Sequence, residues 1–168
     1  MAGTAAPTSI LSAPRFVVQP VGQPKPAWNF SEMANITSEV EPHEFIYCDP
    51  DGAVHHTKQY GKTKPPSVTL KKPMDTDRSL WAWHMSVQLG NPAAKIGCTL
   101  SVYLPGSPGL PPTGPPLFQW TMTEAWPYKL DVSGMKAGNT EAGVLTVTFA
   151  CDTIEVLGAK GNPTGAAF

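Results

Sequence analysis

Apolar and polar residues alternate in three segments in the second half of the chain. The segments run from Ile96 to Leu104, from Phe118 to Thr123 and from Leu145 to Cys151. A period of two places neighbouring side chains on opposite faces of a strand, so each segment predicts a β-strand with one buried face. The polar rows of these strands consist of short uncharged side chains: Thr99, Ser101, Gln119, Thr121, Thr123, Thr146 and Thr148.

Shorter apolar runs predict strands in the first half of the chain. These runs are Arg15 to Val18, Trp28 to Ile36, Phe45 to Cys48 and Ser67 to Lys71. Between the last two, Asp49-Pro50-Asp51-Gly52 has strong turn chemistry and a polar stretch continues to Pro66. We therefore expect an extended loop over residues 49–66, and connections longer than about 12 residues are commonly functional.

A helical period occurs once in the chain. The spacing i, i+3, i+4, i+7 is met by Leu80, Trp83, His84 and Val87. Asp75 is expected to cap the first turn, and Gly90-Asn91-Pro92 ends the pattern. The sequence therefore predicts one helix over about residues 75–89, with His84 packed inward as part of the apolar stripe.

The composition favours strands and fixed turns. The chain of 168 residues contains 19 prolines and 15 glycines, above the usual shares of about 5% and about 7%. We expect a mainly β fold, a small antiparallel β-barrel or two-sheet sandwich with one flanking helix. The predicted organisation is an N-terminal arm over 1–13, one β domain over 14–157 with a proline- and glycine-rich loop at 105–116, and a C-terminal tail over 158–168.

Charge and cysteine content exclude several classes of protein. A formal net charge of −1 with 15% charged residues provides no basic field for sequence-specific nucleic-acid binding. No apolar stretch approaches the roughly 20 residues of a membrane span, and no signal-peptide core occurs near the N-terminus. Cys48, Cys98 and Cys151 have no C-x-x-C spacing, so neither a disulfide framework nor a zinc site is predicted.

No pattern of catalytic residues emerges, and we expect neither enzyme activity nor a cofactor. The strongest candidate for a hydrolase is Cys48, which lies near His43, His55 and His56 in sequence. A metal site on these histidines is less favoured than a solvated loop. Another alternative is a carbohydrate-binding β-sandwich, which requires Trp28, Trp81 or Trp126 to be exposed together on one flat face.

From about Val68 to Val156 the chain resembles the tail tube proteins of contractile-tail phages and the inner tube proteins of extracellular contractile injection systems. The residues that carry this resemblance are Val68-Thr69-Leu70-Lys71-Lys72, Leu80-Trp81-Ala82-Trp83 within Asp75 to Gly90, and Ala125-Trp126-Pro127-Tyr128-Lys129. Phe30-Ser31-Glu32-Met33 is similar to the start of the second strand of the family.

The resemblance implies a structural subunit that forms hexameric rings stacked into a hollow tube. Its implied partners are a sheath protein, baseplate and cap proteins, and a lumen cargo, either effector protein or DNA, that is not bound by sequence. Assembly is then expected in the bacterial cytoplasm, and the product is a virion tail or an injection particle. An Hcp-like secretion tube and a tube-cap protein are alternatives within the same class.

Two surfaces are predicted for such a tube. The neutral polar rows of the three alternating strands, from Thr99 to Thr148 as given above, are candidates to face the lumen, because a channel wall must be wet without trapping charge. The connection over 49–66 is the candidate for contact between rings. Its predicted contact residues are Asp51, Gly52, His55, His56, Lys58, Tyr60 and Lys62.

Overall fold

The computed structural model describes residues 15–22, 27–104, 115–134 and 143–157. The strands are β1 (Arg15–Pro20), β2 (Trp28–Phe30), β3 (Glu32–Cys48), β4 (Val54–Pro73), β5 (Ile96–Tyr103), β6 (Phe118–Ser133), β7 (Val144–Ala150) and β8 (Thr153–Leu157). The helix α1 spans Ser79–Gln88, and a 3-10 turn follows at Pro92–Ala94. No helix within these ranges is long and apolar enough to cross a membrane.

The strands form two antiparallel sheets that share β6. The order is β2-β1-β5-β6-β7-β4-β3, with β8 beside β6. We call β2, β1, β5, the start of β6 and β8 the first sheet, and β3, β4, β7 and the rest of β6 the second sheet. The predicted mainly β fold with one flanking helix is confirmed. The ladder is not a closed barrel, but its two ends, β2 and β3, meet at Ser31, whose backbone N–H donates to the Lys71 carbonyl at 2.9 Å.

A bend in β6 lets one strand serve both sheets. Residues 118–123 pair with β5 and β8, whereas residues 126–133 pair with β7. Glu124, at the junction, has φ 50°, the only positive value among the described residues other than glycine. This left-handed conformation redirects the strand while the next residue, Ala125, stays fully buried.

The inward rows of both sheets and one helix residue form a single core. Trp28 of β2 stacks on Trp83 of α1 with ring centroids 5.1 Å apart, and Phe30 meets Phe149 edge to face at 6.3 Å. Leu80 of α1 is fully buried. The most deeply buried strand residues come from both sheets: Val18, Val68, Leu70, Leu100, Val102, Met122, Val147 and Phe149.

The helix begins later than the sequence predicts, so the expected Asp75 cap is wrong. Asp75 instead binds the ammonium of Lys72, which is buried at the end of β4, at 2.9 and 3.1 Å. Asp77 contacts the first residue of the helix instead. Its Oδ1 accepts a hydrogen bond from the Ser79 backbone N–H at 2.9 Å, and its Oδ2 accepts one from the Ser79 hydroxyl at 2.9 Å. The inward stripe is as predicted, and His84 donates from Nδ1 to the Pro127 carbonyl at 2.8 Å.

The prediction of an extended loop over 49–66 is wrong. Only residues 49–53 form a turn, and β4 already begins at Val54. Residues 54–64 pair with β3 as a strand. The sequence did not reveal this strand because both of its faces are exposed, so apolar and polar residues do not alternate along it. The N-terminal arm, the C-terminal tail and residues 105–114 of the proline- and glycine-rich loop lie outside the described residues.

The bend at Glu124 predicts a substitution pattern. Glu124→Val should destabilise the subunit by about 1–2 kcal/mol, because a β-branched residue is strained at positive φ. Glu124→Gly should leave stability within about 1 kcal/mol of the wild type, because glycine adopts this conformation without strain. Urea denaturation of the two variants measures the difference, and equal stabilities would contradict the role given to this bend.

The carboxylate of Asp77 predicts a pH-dependent contribution to stability. The hydrogen bonds from the Ser79 backbone and hydroxyl, assisted by the charge of Lys72, lower the pKa of Asp77 below its ordinary value. Its stabilisation is therefore present above the ordinary aspartate pKa and is lost as pH falls through the lowered pKa. Asp77→Ala should cost about 1 kcal/mol at pH 7, as for other helix-start acceptors, and the cost should shrink in acid.

Denaturant unfolding at neutral and acidic pH checks this expectation. Asp131→Ala is the matched control, because that carboxylate is exposed and lies 3.7 Å from Lys129 without contacting the helix. A loss of stability for Asp77→Ala that is equal at both pH values would contradict the assignment.

Candidate assembly surfaces

The paired ends of β3 and β4 project from the core as an arm, which we define as residues 39–64. Residues 67–73 of β4 also pair with β7, but from Lys64 outward β4 pairs with β3 alone. Ten residue steps from Glu39 toward the tip correspond to a length of about 30 Å at 3.3 Å per residue. An isolated two-stranded hairpin is at best marginally stable in water, so the arm has little to hold it within one chain.

Ion pairs across the arm are exposed. Lys64 lies 2.9 Å from Glu39 and 3.3 Å from Glu41, and Lys58 lies 3.4 Å from Glu44. Hydrogen bonds to Glu39 and Glu41 raise the pKa of Lys64. Exposed pairs of this kind contribute little to stability, so they set the register of the arm more than they hold it in place.

The arm carries apolar side chains on both of its faces. The pairing places Phe45 and Tyr47 on one face and Ile46, Val54 and Tyr60 on the other. Their exposed fractions are large: Phe45 56%, Ile46 63%, Tyr47 52%, Val54 57% and Tyr60 98%. An apolar surface on both sides of a ribbon that leaves the core is typical of an interaction site.

The seven residues predicted to contact another ring all lie exposed on the arm. Asp51 and Gly52 form the tip, and the other five follow along β4. Gly52 has φ 82°, which the turn requires. His55 is engaged by the Asp49 carboxylate at 2.7 Å and stacks on Tyr47.

The structure offers little support for chemistry at this tip. Cys48 is exposed and pairs in register with Val54. Among the described residues, no group of three His, Cys, Asp or Glu side chains is arranged to hold a metal ion. The described residues at the tip therefore form no metal site, and the arm is exposed on both faces.

Five of the predicted lumen residues share the outer face of the first sheet. Thr99 lies beside Thr121, and Ser101 lies beside Gln119, whose amide donates to the Ser101 hydroxyl at 3.0 Å. Thr123 lies beside Thr153 of β8, with a hydrogen bond between their hydroxyls. We call Thr99, Ser101, Gln119, Thr121 and Thr123 the hydroxyl face.

The other two predicted lumen residues, Thr146 and Thr148, lie on the outer face of the second sheet. Thr148 pairs with Thr69 and Lys129, and Thr146 pairs with Lys71 and Asp131. Three of these four neighbours are charged, and on the first sheet Thr121 likewise has a charged neighbour, Glu155 of β8. The structure does not bring the seven residues together on one surface, because the two sheets turn their outer faces away from a common core.

A groove of about 660 Å³ lies along the outer side of α1. Trp81 and Met85, one helical turn apart, form its apolar wall together with Met74, and they are 36%, 58% and 41% exposed respectively. Its other lining residues are Asp75, Thr76, Asp77, Arg78, Ala82 and Leu145. Sequence reasoning missed this groove, although Trp81 and Met85 lie on the helix face opposite the predicted inward stripe.

The tryptophans do not form the platform that a carbohydrate-binding module requires. Trp28 is 3% exposed and donates from its indole N–H to the Ser79 hydroxyl at 2.6 Å. Trp81 lines the groove, whereas Trp126 lies at a separate depression beside Val87. These three tryptophans therefore do not form the flat aromatic face that carbohydrate binding would require.

One protein family model matches most of the chain. A family model described as T4-like virus tail tube protein gp19 matches residues 12–155. No curated protein sequence matches the chain.

Several solved structures share the fold. One is the sheath-tube complex of the extracellular contractile injection system PVC in the extended state, with 21% identity, TM-score 0.62, and coverage of 89% of this chain and 92% of that chain. The tube-terminating cap of the anti-feeding prophage has 19% identity, TM-score 0.62, and coverage of 91% and 94%. A type six secretion system protein has 11% identity, TM-score 0.52, and coverage of 90% of each chain.

Proposed function

Because the chain belongs to the family of T4-like virus tail tube proteins and is thus a structural tube subunit, we propose that its copies close into hexameric rings and that the rings stack into a hollow tube. The arm carries this proposal. It projects from the core with apolar side chains on both faces, and each of these side chains is more than half exposed. Stacking covers them with a neighbouring copy.

The edge of the first sheet supports closure into a ring. Within the described residues β8 pairs with β6 alone, so its other edge leaves backbone groups free for a second chain. Its sequence, Thr153 to Leu157, contains one charged residue, Glu155, but neither lysine nor proline, which commonly protect an edge strand from such pairing. A head-to-tail contact between identical subunits generates a ring when the rotation closes.

The hydroxyl face supports a lumen on the outer side of the first sheet. It presents hydroxyl and amide groups from β5 and β6, of which Ser101 is buried, and the carboxylate of Glu155 on β8 lies opposite Thr121. Under this assignment Thr146 and Thr148 lie on the other sheet, outside the bore. The cargo, effector protein or DNA, then moves without sequence-specific binding.

The proposed partners are a sheath around the tube, a baseplate and a cap. The similar structures come from a sheath-tube complex and a tube-terminating cap, and this supports assignment to a contractile particle. The secretion-system protein is the weaker match, with a TM-score of 0.52 against 0.62, so the Hcp-like secretion tube is less favoured. We propose assembly in the bacterial cytoplasm, a location in the tail or injection particle, and no enzyme activity.

Truncation of the arm tests the stacking. Replacing residues 41–62 by Asn-Gly joins the paired residues Val40 and Thr63 with a two-residue hairpin turn. Because the arm lies outside the core, the variant should unfold cooperatively near the wild-type midpoint but form rings at most. Negative-stain imaging of wild type and variant gives the readout, and tubes of normal length from the truncated chain would refute the role of the arm.

Site-specific labelling tests the lumen. Thr121→Cys on the hydroxyl face and Thr146→Cys on the other sheet are made in a Cys48→Ser background, and each assembled tube is labelled with a mercurial. Difference density in reconstructed tubes should lie in the bore for Thr121→Cys and outside it for Thr146→Cys. Density in the opposite places would reverse the assignment, and density outside the bore for both would refute a lumen lined by the first sheet.

A further inference from the structure

We infer that the groove beside α1 receives the tip of the arm from a copy of this chain in the adjacent ring. The inference rests on the proposed stacking and adds to it the identity of the receiving surface. Three features support it: the positions of the arm and the groove, their apolar side chains, and one complementary pair of charges.

The arm and the groove lie at opposite ends of the same sheet. The arm leaves the second sheet beside Ser67, which pairs with Ala150 at one end of β7. The groove lies beside Leu145, which pairs with Lys72 at the other end of β7. An element that protrudes at one end and a concave surface at the other are the requirements of a head-to-tail contact that repeats from subunit to subunit without closing.

The two surfaces have matching chemistry. The groove exposes the indole of Trp81 and the thioether of Met85, a flexible side chain that adapts to irregular partners. The arm presents Phe45, Ile46 and Tyr47 close to its tip, each more than half exposed. An aromatic side chain inserted in a pocket is the usual centre of a protein interface.

One charge on each side supports the same pairing. Arg78 stands at the groove rim and Asp51 at the arm tip, and the described residues provide no ion pair for either side chain. The neighbouring acids are already engaged, Asp49 by His55, Asp75 by Lys72, and Asp77 by two hydrogen bonds from Ser79. A pair between Arg78 and Asp51 of adjacent copies is worth little singly, but it repeats around each ring.

Cross-linking of assembled tubes tests the inference with the native thiol at the arm tip. Cys48 is exposed, whereas Cys98 and Cys151 are buried, and burial raises their pKa values to about 12 and about 11, so they do not compete for maleimides. Met85→Cys places a second thiol in the groove. A short bis-maleimide should then join Cys48 of one copy to position 85 of the next.

Because each copy both donates an arm and offers a groove, the expected product is a ladder of many cross-linked subunits and not a dimer alone. Cys48→Ser in the same variant should remove the ladder. Lys129→Cys is the matched control, since this exposed side chain on the second sheet lies outside the groove, and it should give no ladder.

Each result decides between distinct conclusions. Tubes that form normally but give a ladder with Lys129→Cys and none with Met85→Cys overturn the groove assignment and leave the stacking intact. A thiol at position 85 that reacts freely with a monofunctional maleimide in bare tubes, but is protected once sheath protein is added, assigns the groove to the sheath and also overturns it. Failure of the wild-type chain to form tubes overturns both proposals.

Discussion

A two-stranded ribbon about 30 Å long cannot bury both of its faces by itself, and the assembly of this protein follows from that constraint. The arm is held within its own chain by the ladder between β3 and β4 and by exposed ion pairs, and exposed pairs contribute little to stability. Burying one large apolar side chain contributes about 1.5–3 kcal/mol. Contact with another molecule would therefore contribute more through the apolar side chains of the arm than the ion pairs between its strands do, and this is the basis of the proposed stacking.

The core determines how the outer faces of the two sheets are oriented. Both sheets and α1 pack their apolar rows into one interior, where Trp28 stacks on Trp83 and Phe30 meets Phe149. The bend at Glu124 allows β6 to join the sheets, so the outer face of each sheet has a set orientation. The hydroxyl face and the edge of β8 consequently belong to the first sheet, whereas the arm extends from the second sheet.

The parts of the fold with one buried face were predictable from the sequence. Alternation located β5, the start of β6 and β7, and the helical period identified the inward stripe of α1. Of the arm, only Phe45 to Cys48 was predicted as strand, because side chains exposed on both faces leave no periodic signal. The second half of β6 was missed because Pro127 interrupts its pattern. The start of α1 was misplaced because the carboxylate of Asp75 binds Lys72, a contact that no local pattern reveals, while Asp77 accepts hydrogen bonds from Ser79.

The candidate surfaces likewise include one that local sequence patterns predicted and one that they did not. Rows of Thr and Ser identified the polar faces of the strands in the sequence. That Thr146 and Thr148 belong to a different sheet from the hydroxyl face depends on strand pairing, which no local pattern contains. The groove depends on Leu145 and Trp81 coming together from distant parts of the chain. Because β4 extends as one strand from the arm to Pro73, next to Met74 of the groove, it fixes the separation of the two surfaces. A shift in the register of β4 would displace both at once, so the proposed stacking depends on correct folding of the subunit.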